Sequence, residues 1–112
     1  MAYAEPETWL LPWCGISDES IRFELEKELE LELAPGHPLW GSSSRTVLAK
    51  RNDQDDVLVA FDNGKIAEVH LTWSRQKERD PRWPRAIVFS SFDEWRSKSM
   101  VPAHEEFLVA GG

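Results

Sequence analysis

Asp56-Val57-Leu58-Val59-Ala60-Phe61-Asp62-Asn63-Gly64-Lys65-Ile66-Ala67-Glu68-Val69-His70-Leu71-Thr72-Trp73 is the stretch whose reading decides the fold. Two runs rich in β-branched and aromatic residues flank Asn63-Gly64, the dipeptide that best supplies the positive φ angles of a tight hairpin turn. Taking Asn63 and Gly64 as the two loop residues pairs Asp62 with Lys65, Phe61 with Ile66 and Ala60 with Ala67. One face of the hairpin then collects Leu58, Ala60, Ala67, Val69, Leu71 and Trp73. The other collects Val57, Val59, Phe61, Ile66, Glu68, His70 and Thr72. So many apolar groups on the second face need cover, either from the Trp-bearing N-terminus or from a partner.

Further strands are expected on either side of the hairpin, at Arg45–Lys50 and Arg85–Phe89, with a polar loop from Ser74 to Pro84 before the last. Upstream, Ser17 reads as a helix N-cap with Asp18 and Glu19 in the first turn. Ile21, Leu25, Leu29 and Leu33 recur at i+4 and form an apolar stripe. The Glu-Leu alternation from Glu28 to Leu33 also fits a strand. Helix is favoured because Glu and Leu are good helix formers and no β-branched residue follows Ile21 in the run. Pro35-Gly36-His37-Pro38 ends it. Downstream, Ser91 and Glu94 form a capping box that opens a short helix from Phe92 to about Lys98, with Pro102 expected to stop it. The order α-β-β-β-β-α predicts a single α+β domain over 1–112. It has an antiparallel sheet of about four strands with both helices on one face, an irregular Trp-containing lead-in over 1–16 and a frayed tail over 108–112.

Composition excludes several classes of function. The 112 residues carry 13 Lys+Arg against 20 Asp+Glu, a net charge of −7. Phosphate backbones and anionic membranes both select for a basic surplus, so neither nucleic acid nor a membrane is expected as a partner. No run reaches the ~20 apolar residues of a membrane span. Met1 to Trp13 lacks the basic region of a secretion signal. With Cys14 as the only cysteine, no internal disulfide can form, and a reducing cytoplasm is the expected location. The isolated glycines Gly36, Gly41 and Gly64 make no phosphate-cradling loop, so no cofactor is expected.

Candidate chemistry centres on Glu68 and His70. Two apart on one strand, they share a face at roughly 7 Å, and a carboxylate beside an imidazole can make an acid/base pair. No serine or cysteine stands at nucleophile spacing, and a solvated polar patch accounts for the pair equally well. His37, His70 and His104 lack metal-ligand spacing, so no metal is expected. His37 reads as a turn residue and His104 as exposed. Six Trp are spread through the chain, mostly for core duty. Trp83 in Arg82-Trp83-Pro84-Arg85 is the best candidate for a binding anchor. From Asp18 to Glu32 there are seven acidic residues against two basic, and from Ser74 to Arg85 five basic against two acidic. Such runs are usually solvated, but the acidic helix could also meet a basic partner protein.

The segments Pro35-Gly36-His37-Pro38-Leu39, Asp55-Asp56-Val57-Leu58, Val69-His70-Leu71-Thr72-Trp73, Trp83-Pro84 and Ser91-Phe92-Asp93-Glu94-Trp95 stand in an order that resembles a group of short bacterial hypothetical proteins. The resemblance spans residues 20 to 107. It implies a stand-alone bacterial cytoplasmic protein and brings no catalytic residue with it, because the group has no assigned activity. The size and acidity are also similar to those of toxin-immunity proteins. The leading expectation is a non-enzymatic domain that binds another protein through Phe61, Ile66, Glu68, His70, Arg82 and Trp83. The alternative is a small enzyme or ligand-binding domain using His70 and Glu68 in an aromatic-lined pocket. A homodimer that hides the mixed face is a third reading.

Overall fold

The computed structural model describes residues 9–37, 39, 45–61, 64–76 and 83–110. Strand β1 (Trp13–Gly15) leads into helix α1 (Glu19–Glu32), followed by β2 (Arg45–Arg51), β3 (Asp56–Phe61), β4 (Ile66–His70) and β5 (Arg85–Phe89). The chain closes with helix α2 (Phe92–Trp95), a π-helical turn (Arg96–Met100) and helix α3 (Val101–Val109). The class is α+β as expected. The sheet has five strands rather than about four, all antiparallel in the order β1-β2-β3-β4-β5. The extra strand comes from the supposedly irregular lead-in, where Trp13, Cys14 and Gly15 pair with Arg51, Lys50 and Ala49.

The hairpin register differs from the expected one by one residue. Ala60 lies opposite Ile66, Val59 opposite Ala67 and Val57 opposite Val69. The turn accounts for the shift. Phe61 N–H donates to Lys65 O (3.0 Å), Gly64 N–H donates to Phe61 O (3.1 Å), and Gly64 has φ 87°. Three residues therefore separate the bonded pair Phe61 and Lys65, with glycine at the left-handed position, instead of the two assumed. Asp62 and Asn63 lie outside the described residues. Side chains alternate with period two, so this slip moves one strand's whole set to the other face.

The corrected faces are both apolar. Val57, Val59, Phe61, Ala67, Val69 and Leu71 pack with Leu25 and Leu29 of α1, Leu33 at its C-cap, Leu39 and Val47. On the opposite face Leu58, Ala60 and Ile66 pack with Trp13, Leu48, Ala49, Trp95, Met100 and Ala103, flanked by Trp9, Leu10, Phe89 and Phe92. A bulge between Val47 and Ala49 lets Leu48 and Ala49 both serve this second core. The helices are thus divided between the two faces, not gathered on one. α1 covers one face, while the C-terminal helices and the N-terminal Trp segment cover the other. Trp13 and Trp95 meet edge-to-face at 5.2 Å, and Trp9 stands edge-on to Trp95 at 6.1 Å.

Smaller differences have local causes. Asp18, not Ser17, caps α1, its carboxylate accepting from Ser20 N–H at 2.8 Å. Ile21 is exposed, so the stripe begins at Leu25. Ser91 Oγ caps α2 by accepting from Glu94 N–H (3.1 Å), and Glu94 reaches back to Ser90 N–H (2.9 Å). Pro102 does not end the helical run. The π-helical turn donates Val101 N–H to Arg96 O, and Pro102 falls in the first turn of α3, where its missing N–H costs little. Helix then continues to Val109, past the start of the expected tail. β4 ends at His70 rather than at Trp73 because the buried carboxyls of Glu32 and Glu28 take the next backbone donors. Thr72 N–H donates to Glu32 Oε1 (2.9 Å), Trp73 N–H to Glu32 Oε2 (2.8 Å) and Arg75 N–H to Glu28 Oε2 (3.0 Å). No helix among the described residues is long and apolar enough to cross a membrane.

Candidate functional site

The register of the central strands builds the site. Asp56 on β3 lies opposite His70 on β4, and His70 lies opposite Arg85 on β5. The next row is Leu58, Glu68 and Ile87. Directly opposed side chains stand about 4.5–5.5 Å apart at Cβ, so an acid, an imidazole and a guanidinium form one line across three strands. This row continues the Trp-bearing face, at the end where the aromatic core stops.

Glu68 marks the boundary between core and site. Its Oε1 accepts from Trp95 Nε1–H at 2.8 Å and from the Ser99 hydroxyl. The acid is therefore held by the aromatic core on one side and lines an open cleft on the other. Arg51, Gln54, Asp56, His70, Trp83, Arg85 and Ile87 complete the lining of a cavity of about 440 Å³. Ligand sites commonly fall within about 300–1,000 Å³.

His70 Nδ1 lies 2.6 Å from Asp56 Oδ1. The carboxylate of Asp56 can only accept, so Nδ1 carries the proton and, in the neutral ring, Nε2 presents a lone pair. An imidazole oriented in this way by a nearly buried acid can take a proton from a bound hydroxyl or water, or accept a hydrogen bond from a ligand donor. Arg51 is already engaged. Its guanidinium binds both oxygens of Asp53, and that pairing raises its pKa further above the ordinary value, with Asp56 and Glu68 contributing. Arg85 makes no hydrogen bond or ion pair among the described residues and is the cleft's uncommitted cation.

Trp83 is placed by His37, which is more than a turn residue. His37 is buried, its Nδ1 accepting from Leu39 N–H at 3.0 Å while Nε2 donates to Pro84 O at 2.6 Å. Both nitrogens are spent on the backbone, which pins the loop carrying Trp83 beside the sheet. His104 is also not free. It is half-buried, and its Nδ1 lies 2.7 Å from Leu11 O, tying α3 to the N-terminal segment. No cluster of possible metal ligands occurs among the described residues.

Of the residues expected to form a contact surface, the structure brings together Glu68, His70 and Trp83. Phe61 and Ile66 are corrections. Both are buried, and they belong to opposite cores, because the one-residue register shift separates them and the α2–α3 layer covers Ile66. Arg82 lies outside the described residues. Asp56, Arg85, Ile87, Gln54 and Arg51 were missed. β5 has the expected bounds, and the three-residue turn is what puts Asp56 beside His70. The acidic run of α1 is not one solvated face either. Glu28 and Glu32 are buried, and Glu26 accepts from Val47 N–H at 2.9 Å. Comparison of the chain with protein-family models, with curated proteins and with solved structures finds no match.

Proposed function

We propose that this protein is a small-molecule-binding domain whose ligand carries an anionic group beside a flat apolar ring. The observation that carries the reading is the Asp56–His70–Arg85 row, set in a 440 Å³ cleft with Trp83 at its edge. Arg85, which has no hydrogen bond or ion pair among the described residues, supplies a fork of donors for a carboxylate or phosphate. His70 Nε2 accepts from a ligand hydroxyl or amine, and Trp83 with Ile87 gives the apolar part a surface. This displaces the protein-partner reading from first place, since Phe61 and Ile66, two of its anchors, are buried. The same proposal places the chain in a bacterial cytoplasm, supported by the lone Cys14 and by the resemblance noted above.

Isothermal titration with phenyl phosphate tests it, because this probe joins an anion to a ring. The expected outcome is saturable binding with Kd below about 1 mM. Arg85→Gln should weaken it tenfold or more, the loss of one charge-assisted contact of about 1.5–3 kcal/mol. Trp83→Ala should weaken it without changing the fold. No heat at ~5 mM probe, or binding indifferent to Arg85→Gln, contradicts the proposal.

A further inference from the structure

We infer that β5 is a dimerisation edge that pairs antiparallel with β5 of a second copy about a two-fold axis at Ile87. The two edges of the sheet are unlike. β1 is three residues long and presents little backbone, whereas β5 runs five residues, and among the described residues no strand or loop hydrogen-bonds its outer side. Native edges are commonly blunted by a lysine, a proline, a bulge or a covering segment. Ala86-Ile87-Val88-Phe89 has no charge, no proline and no register shift against β4. Ile87 is 53% exposed and Val88 47% exposed, one on each face of the strand.

The ladder fixes which groups are unpaired. Phe61 bonds Lys65 and Leu71 N–H donates to Asp55 O, so the odd residues of β4 point their backbone toward β3. Its even residues, Ile66, Glu68 and His70, then bond β5 at Phe89, Ile87 and Arg85. The backbone groups left facing outward on β5 are those of Ala86 and Val88.

Only one two-fold register uses both residues at once. Ala86 of each copy lies opposite Val88 of the other, giving four backbone hydrogen bonds, and Ile87 faces Ile87 in the closely spaced, non-bonded pair between them. Arg85, the strand's one charge, faces Phe89 of the second copy rather than another Arg85, so no like charges are opposed. That self-complementarity selects a second copy over a foreign strand. Ile87 also lines the cleft, so the dimer sets the second copy's Ile87 at the rim of the ligand site.

Sedimentation velocity from about 5 to 500 µM tests this, with the Val88→Lys variant alongside. The expected result is a dimer fraction that grows with concentration, and a monomer throughout for Val88→Lys. Val88 faces away from the cleft, so phenyl phosphate binding by that variant keeps this test separate from the ligand proposal. A disulfide trap in Cys14→Ala/Ile87→Cys reads the register directly and serves if Val88→Lys does not fold. Mild oxidation should give a covalent dimer in high yield. A wild type that stays monomeric at 500 µM, a dimer indifferent to Val88→Lys, or an Ile87→Cys variant that does not cross-link overturns the inference.

Discussion

Glu28 and Glu32 each stand one residue before a core leucine, Leu29 and Leu33, on the border of the apolar stripe of α1. In a run that alternates Glu and Leu they look like every other glutamate, and their burial was not legible. What singles them out lies about forty residues away, in the backbone donors of Thr72, Trp73 and Arg75. Those donors let Trp73 and Arg75 hold positive φ angles of 59° and 62°, a conformation that otherwise costs about 1–2 kcal/mol per non-glycine residue. Burial, with the neighbouring Glu28 carboxyl, pushes Glu32 up to about 7 from its ordinary 4.5. The folded chain keeps a proton there that the unfolded chain releases over this range. The contribution is therefore fully present below about pH 4.5 and is lost as pH rises through 7. Urea midpoints compared with those of Glu32→Gln should show a wild-type advantage that shrinks by on the order of 2 kcal/mol between about pH 5 and pH 8. An advantage that stays flat or grows would count against the account. His37 is the second residue whose role is invisible locally. His37→Ala should cost about 1–2 kcal/mol by orphaning Leu39 N–H and Pro84 O, and it should weaken probe binding through Trp83. Denaturation and titration of one variant check both.

At the scale of elements, the four strands from β2 to β5 were legible, while β1 and the register were not. Bounds at Asp56–Phe61 and Arg85–Phe89 follow from β-branched runs between turn residues. The register depended on whether the turn uses two residues or three, a choice the sequence Asp62-Asn63-Gly64-Lys65 leaves open. Gly64 is where the choice is made. Gly64→Ala should destabilise the protein by about 1–2 kcal/mol, since its φ of 87° suits glycine alone. Thermal denaturation measures this, and an unchanged midpoint would mean that the turn is not of this kind. The C-terminal helices teach a related lesson. Pro102 reads as a stop because proline breaks regular α-helix, but a π-helical turn just before it moves the proline into a new first turn. Gly15 marks another close approach. A Cβ there would lie 2.7 Å from Trp9 Cδ1, so Gly15→Ala should loosen the Trp9 cover of the second core, seen as a red shift in Trp fluorescence.

The whole molecule is a sheet with a core on each side, and the division of labour between the faces places the site. The α1 face closes completely over Val57, Val59, Phe61, Val69 and Leu71. The other face is covered by Trp13, Trp95 and Met100 only as far as Glu68, and beyond it Asp56, His70 and Arg85 stay uncovered around the cleft. Cover by the N-terminal Trp segment was expected only as one of two options, for the face of Val57, Val59 and Phe61, whereas the segment lies over Leu58, Ala60 and Ile66. Where that cover ends was not legible, because it depends on the angle at which α2 and α3 cross the strands. The central claim is that His70, held by Asp56 and flanked by Arg85, faces a ligand. Long-range proton–nitrogen correlation of the His70 ring, recorded as phenyl phosphate is added, tests it most directly. The account predicts a ring that carries a proton at Nδ1, an Nε2 signal that shifts saturably with the probe, and loss of that shift in Arg85→Gln. A ring with no proton at Nδ1 in the free protein, or a His70 signal that ignores the probe while it binds elsewhere, would contradict it.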